Sequence, residues 1–137
     1  MLLNYWAILV CAALSMVLGS IWYGPIFGKT WMRLCGATDM DAAKRKEMQK
    51  KMIPLYIVQF VLTLAQLFVL AHLTGSGVIV GIMSALWTWV GFILPTVAAS
   101  CMWTGEPRKM AWTRFLIQAG YQLAAFIMFG AILAGWQ

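Results

Sequence analysis

The sequence has few charged side chains, and most of them are segregated from its long apolar stretches. Charged residues make up 10% of the 137 residues, whereas a soluble domain carries about a quarter. All ten Lys and Arg residues fall between Lys29 and Lys51 or between Arg108 and Arg114. A net charge of +6 beside apolar stretches is better explained by membrane orientation and anionic lipid than by nucleic acid. The composition indicates a membrane protein that does not bind nucleic acid.

Residue sets that support catalysis or metal binding are also missing. The cysteines Cys11, Cys35 and Cys101 form no close-spaced pair, so we expect free thiols. A metal needs three or four converging donors, and the spacing of Cys11, Met16 and the single histidine, His72, does not support a soft-metal site. We expect His72 to be an interfacial hydrogen-bonding residue. No Ser-His-acid or Cys-His set is present, so we expect no enzyme, no metal and no cofactor.

Four apolar stretches are each long enough to cross a bilayer, which takes about 20 helical residues. The predicted spans are residues 2–23, 53–73, 78–102 and 111–136. No Asp, Glu, Lys or Arg lies well inside them, which disfavours a proton-coupled exporter, because such transporters use intramembrane ionisable groups. Pro95 predicts a kink near the end of the third span. The expected fold class is all-α, a single transmembrane domain (residues 1–137) built as a four-helix bundle.

The connection 24–52 is predicted to contain a short amphipathic helix on the membrane surface. Thr38-Asp39-Met40-Asp41 supplies a capping hydroxyl and two acids at its start. Pro54 then opens span two, where its missing N–H costs nothing. We expect five basic residues of this segment to contact anionic headgroups: Lys44, Arg45, Lys46, Lys50 and Lys51.

The loops predict the orientation. The first connection carries seven Lys or Arg residues, the second carries none and the third carries three. The positive-inside rule therefore places the first and third in the cytoplasm and both termini outside it. Cys35 and Cys101 then lie near the reducing face.

The segment from Trp22 to Leu34, WYGPIFGKTWMRL, resembles the first-span exit of an uncharacterised bacterial membrane family, the domain of unknown function 1761. Three further stretches match: Ala71-His72-Leu73; Leu86 to Phe92 with Pro95; and Gly120-Tyr121 followed by Gly130 to Ala134. Gln118 stands where the family pattern has asparagine. The resemblance implies a four-span protein of a bacterial inner membrane, and it supplies no activity or catalytic residue.

Small and hydroxyl residues recur in span three at intervals of 4, 3, 4, 3 and 4, on one helix face: Gly77, Gly81, Ser84, Thr88, Gly91 and Pro95. Small residues let helix backbones approach closely in lipid, so the stripe is predicted to be a packing seam within the chain or between subunits. The alternative is the wall of a narrow pathway. Trp87 and Trp89 would then flank it as stacking surfaces for a cation or flat ligand.

Amides and hydroxyls at matching depths, together with two tryptophans, form a candidate polar seam across three spans. Its members are Gln59, Thr63 and Gln66 in span two; Ser84, Trp87, Thr88 and Trp89 in span three; and Gln118 and Gln122 in span four. Each buried amide needs a partner, and bonds between helices are the favoured interpretation. The sharper hypothesis is that Gln66 and Gln122 face an internal cavity with Trp87.

Two classes of function remain open. The first is a non-enzymatic unit that binds or passively translocates a small neutral, apolar or cationic molecule as a homo-oligomer. The second is a structural or accessory subunit that packs against a larger membrane complex. The expected partners are the lipid bilayer, anionic headgroups at the cytoplasmic face, and this chain itself or another membrane protein.

Overall fold

The computed structural model describes residues 3–34 and 41–136, and it contains helices and short connections with no strand in those ranges. The helices are α1 (Tyr5–Ile21), α2 (Gly28–Leu34), α3 (Ala42–Leu73), α4 (Val78–Thr88), α5 (Leu94–Met102) and α6 (Arg108–Gly135). Two π-helical turns, Trp22–Ile26 and Trp89–Ile93, continue α1 and α4. The predicted starts at Leu2 and Thr38 and the thiol of Cys35 lie outside the described residues.

Four helical stretches are long and apolar enough to cross a membrane, as the sequence predicts: Tyr5–Ile26, Ala42–Leu73, Val78–Met102 and Arg108–Gly135. Residues next to the chain turns set several of their starts. The Asn4 side chain accepts from the Ala7 N–H, and the Asp41 carboxylate accepts from the Lys44 N–H. Gly77 precedes α4 at a φ of 98°, a conformation that favours glycine.

The first connection differs from the prediction, because the basic segment and span two form one helix. α3 runs without interruption from Ala42 to Leu73, and Pro54 lies inside it. The Asp41 cap therefore sets the helix start, and Pro54 removes a single N–H donor without ending the helix. Within residues 41–73 the basic segment is thus the first part of α3 and not a helix of its own, and the predicted amphipathic surface helix is not confirmed.

The two π-turns share the pattern Trp-x-Gly-x-Ile: Trp22-Tyr23-Gly24-Pro25-Ile26 and Trp89-Val90-Gly91-Phe92-Ile93. Proline provides a local reason for each turn, because it donates no N–H to the carbonyl four residues earlier. Pro25 lies within the first turn, and Pro95 leaves the Gly91 carbonyl of the second without that donor. Span three thus contains a π-turn ahead of Pro95, and the kink predicted near the end of the span stays a prediction.

Helix α6 is the centre of the arrangement, since α1, α3, α4 and α5 all contact it. The Asn4 side-chain N–H₂ donates to the Trp136 carbonyl, so α1 and α6 are antiparallel, and we call this the terminal end. The opposite end, with α2 and the 103–107 connection, is the basic end. The buried core lies towards the terminal end: Ala7, Ile8, Cys11, Ala12, Leu67, Leu70, Ala71, Ala85, Ala125, Phe126, Phe129 and Leu133.

Helices α3 and α4 pack little against each other, although the short 74–77 connection joins them. From Thr63 onward α3 places side chains in the core, whereas residues 50–59 are exposed on every face. The predicted four spans are therefore helical, but the closed bundle in which each helix packs against two neighbours is not confirmed.

Candidate functional site

The small-residue stripe of α4 meets α6 at two glycines. A methyl group added at Gly81 would lie 2.9 Å from the Gly130 carbonyl carbon, and one added at Gly130 would lie 2.7 Å from that of Gly81. Ala85 is buried beside them, and the Gly77 N–H donates to the Ala134 carbonyl at 3.2 Å. Two helix backbones are in direct contact here, which only residues without a side chain permit.

The rest of the stripe leaves this contact. Ser84 and Thr88 are half-buried, while Gly91 and Pro95 are exposed, and a Cβ added at Gly91 would meet no atom within 4 Å. The π-turn adds one residue to the helical repeat, which rotates the following residues by about 100°. The regular 4-3 spacing therefore marks one face only as far as the turn.

The two tryptophans of span three point in different directions. The Trp89 indole N–H donates to the Ala119 carbonyl of α6 at 3.1 Å, whereas Trp87 is 72% exposed. Residues two apart on a helix are separated by about 200°, so one faces α6 when the other faces away. Trp87 therefore does not lie with Trp89 along one pathway, nor in the interior with Gln122.

The hydroxyls of the polar seam are satisfied within their own helices. Thr63 donates to the Gln59 carbonyl at 2.8 Å and accepts from the Gln59 amide at 3.3 Å. Ser84 donates to the Val80 carbonyl at 2.9 Å, and Thr88 donates to the Ser84 carbonyl at 2.8 Å. Among the residues that the structure describes, these hydroxyls form no bond between helices.

The amides fall into two groups. Gln59 is exposed and bonded to Thr63, and the Gln118 carbonyl oxygen accepts from the buried Cys101 thiol of α5 at 3.6 Å. Gln66 and Gln122 are half-buried, and within the described residues neither side chain makes a hydrogen bond. Both amides lie in candidate membrane spans, and their unbonded atoms are at the surface of the chain, where a further partner can reach them.

Other side chains, which the sequence reading did not assign to this role, connect the helices. The Trp22 indole donates to the Ile117 carbonyl at 3.0 Å, and the Tyr121 hydroxyl donates to the Ser15 carbonyl at 2.9 Å. Gly120 admits the Trp22 ring, because a Cβ there would lie 3.0 Å from it. The sequence feature that could have predicted these bonds is the presence of Trp and Tyr in the spans, because a buried indole N–H or phenol O–H usually has an acceptor.

An ion pair fastens the basic end. Arg114 donates to both Glu106 carboxylate oxygens, at 2.7 and 3.2 Å, and to the Leu34 carbonyl at 3.1 Å. Its guanidinium also lies 5.4 Å from the Trp31 ring centre. One side chain of α6 thus holds α2 and the third connection together.

The remaining candidates have no shared site. Lys44, Arg45, Lys46, Lys50 and Lys51 are exposed along the first turns of α3. His72 is exposed, its Nδ1 donates to the Phe68 carbonyl at 2.8 Å, and Cys11 is buried in the core. Within the described ranges no three His, Cys, Asp or Glu side chains are grouped so that they could hold a metal ion.

No curated protein and no solved structure matches the chain. A family described as "Protein of unknown function (DUF1761)" matches residues 6–134, which is nearly the whole of the 137-residue sequence. The chain therefore belongs to the DUF1761 family.

Proposed function

We propose that this protein is a non-enzymatic component of a bacterial inner membrane that binds, or passively translocates, a small neutral, apolar or cationic molecule as a homo-oligomer. The observation that carries the proposal is that two amides, Gln66 on α3 and Gln122 on α6, are each half-buried and make no hydrogen bond among the described residues. A ligand that bonds to either amide would supply the partner that the described residues do not.

The energetics support a partner for these amides. Moving an amide from water to an apolar environment without a hydrogen bond costs roughly 2–7 kcal/mol of free energy. A ligand that supplies the hydrogen bond recovers part of this cost, which favours its binding. An amide oxygen accepts from an ammonium or hydroxyl donor, and its N–H₂ donates to a carbonyl or ether oxygen. Neither group ionises, so the binding expected here is not coupled to a proton.

Substitution of the amides tests this function. Gln66→Leu and Gln122→Leu, singly and together, are expected to reduce retention of the co-purifying small molecule or its flux into vesicles, while the protein still folds. Gln118→Leu is the matched control, because the Gln118 amide is half-buried on α6 like that of Gln122 but already accepts from the Cys101 thiol. Mass spectrometry of the bound material and a solute-flux assay measure the effect. Unchanged retention and flux in the folded double variant contradict the proposal.

A second function is supported by another observation. Residues 50–59 of α3 are exposed on every face, and this segment includes the polar Gln59. An exposed amide in a membrane-spanning helix favours a protein neighbour over lipid, since another chain can bond it. The alternative proposal is a structural or accessory subunit of a larger membrane complex.

Cross-linking separates the two proposals. A photoreactive residue at position 58 of α3, in intact membranes, is expected to capture a second copy of this chain if the homo-oligomer forms. Capture of a different membrane protein favours the accessory role. The same residue placed at position 127, an exposed site on α6, controls for contacts made by chance.

A further inference from the structure

A cavity of about 250 Å³ lies between the end of α5 and the start of α6, at the basic end. Its walls combine apolar, aromatic and charged side chains, including Ala98, Met102, Glu106, Arg108, Trp112 and Phe115. The volume is below the roughly 300–1,000 Å³ of pockets that enclose whole drug-sized ligands. The cavity therefore fits a small molecule or one end of a larger one.

The cavity presents a cationic and an anionic group. The Arg108 side chain is exposed, and as the first residue of α6 it lies at the positive end of the helix dipole, which also favours an anion. The Glu106 carboxylate accepts two N–H bonds from Arg114, and since a carboxylate has about four acceptor positions, two remain for another donor. Such a pair suits a zwitterion.

The other walls match the ammonium of a lipid headgroup and the acyl chains attached to it. Trp112 and Phe115 stand edge to face, with ring centres 5.6 Å apart, and an aromatic face attracts an ammonium. Ala98 and Met102 are apolar, and Met102 is 64% exposed where the third span ends. The cavity thus lies at a junction of membrane span and connection, the depth at which headgroups are found.

We propose that this cavity binds the phosphoethanolamine headgroup of a phospholipid. The phosphate lies against Arg108, the ammonium against Glu106 and the Trp112 ring, and the acyl chains leave past Met102. This site is separate from the amides Gln66 and Gln122 and does not depend on the function proposed for them.

Native mass spectrometry of the purified full chain tests the site, with equal amounts of phosphatidylethanolamine and phosphatidylglycerol of the same chain length. The wild-type protein is expected to retain phosphatidylethanolamine preferentially. Arg108→Gln is expected to lower that adduct about fivefold, the effect of one basic residue near headgroups. Lys109→Gln removes the same charge from the next residue, which does not line the cavity, and should change the adduct little. Equal effects of the two variants overturn the proposal.

Glu106→Gln separates binding from a structural role of the ion pair. The neutral amide no longer attracts the ammonium, so the ratio of phosphatidylethanolamine to phosphatidylglycerol should fall, whereas a purely structural role would lower both adducts alike and leave the ratio unchanged. Soluble phosphoethanolamine at the lipid's concentration should not displace the lipid. If soluble phosphoethanolamine displaces the lipid, the proposal that a membrane phospholipid supplies the headgroup is overturned.

Discussion

At the scale of single residues, the helices are linked by side-chain donors that bond to backbone carbonyls. Trp22, Trp89 and Tyr121 each donate to a carbonyl of a neighbouring helix, at 2.9–3.1 Å. A helical carbonyl already accepts one N–H but keeps a second lone pair, so such a bond needs no polar side chain on the partner helix. Patterns of paired polar residues therefore do not reveal these links.

Trp89→Phe is expected to destabilise the protein by about 0.5–1.5 kcal/mol, the net value of a typical hydrogen bond. The ring keeps most of its packing, but the donor to Ala119 is lost. Unfolding in mild detergent, followed by circular dichroism, measures the change. Trp87→Phe is the control, since that ring is 72% exposed, and a similar loss in both variants would contradict the assignment.

Gly81→Leu is expected to disrupt folding, because the backbone atoms of Gly130 cannot move aside. The expected loss of folding free energy is at or above the roughly 1–3 kcal/mol that overpacking a core costs. Gly91→Leu belongs to the same stripe but meets open space, so it should have little effect on the folded monomer. The yield of monodisperse protein in size-exclusion chromatography distinguishes them. If both variants fold equally well, the Gly81–Gly130 contact is not structurally important.

At the scale of elements, the two Trp-x-Gly-x-Ile turns change which residues face α6. Each begins with a tryptophan whose indole bonds to that helix, at Ile117 or Ala119. After the first turn the chain continues into α2, which the Arg114 side chain holds through Leu34 and Trp31. The attachment of α2 thus depends on a residue from the other half of the sequence.

Arg114→Gln is expected to release α2 from α6, because the bonds to Leu34 and Glu106 and the contact with Trp31 are all weakened. Amide hydrogen exchange of residues 28–34 should become faster, with little change in the core of α6. Arg33→Gln, an exposed charge on α2 itself, is the control. Unaltered exchange in the Arg114 variant would show that α2 is held by other contacts.

At the scale of the whole molecule, three of the four candidate spans contact the fourth, α6, and the basic residues cluster at one end. Core packing is concentrated towards the terminal end, whereas α3 is exposed around residues 50–59. We propose that lipid or another chain completes the packing at the surface that α3 leaves open.

The loop charges predict that both termini lie outside the cytoplasm. A bacterial alkaline phosphatase joined after Gln137 is therefore expected to be active, since that enzyme folds only outside the cytoplasm. A fluorescent protein joined at the same position should be dark. The reverse pair of results would invert the orientation, and fusions within the 103–107 connection, expected to be cytoplasmic, serve as the internal control.

The sequence by itself determined the helical class, the four apolar stretches and the family, and it predicted a packing seam that includes Gly81, within the chain or between subunits. These follow from local quantities: apolar length, absence of charge, and the spacing of small residues along one helix. A contact within this chain is present at Gly81, whereas Gly91 and Pro95, beyond the π-turn, are exposed in the single chain, and packing between subunits there stays a prediction.

Only the tertiary structure decided which polar groups have partners. Thr63, Ser84 and Thr88 bond within their own helices, while Gln66 and Gln122 bond to nothing in the described ranges. Whether a side chain finds an acceptor depends on the rotation of its helix and on which carbonyls of another helix lie within about 3 Å. That geometry arises from contacts between residues as far apart in the chain as Ser15 and Tyr121, which no spacing along a single helix contains.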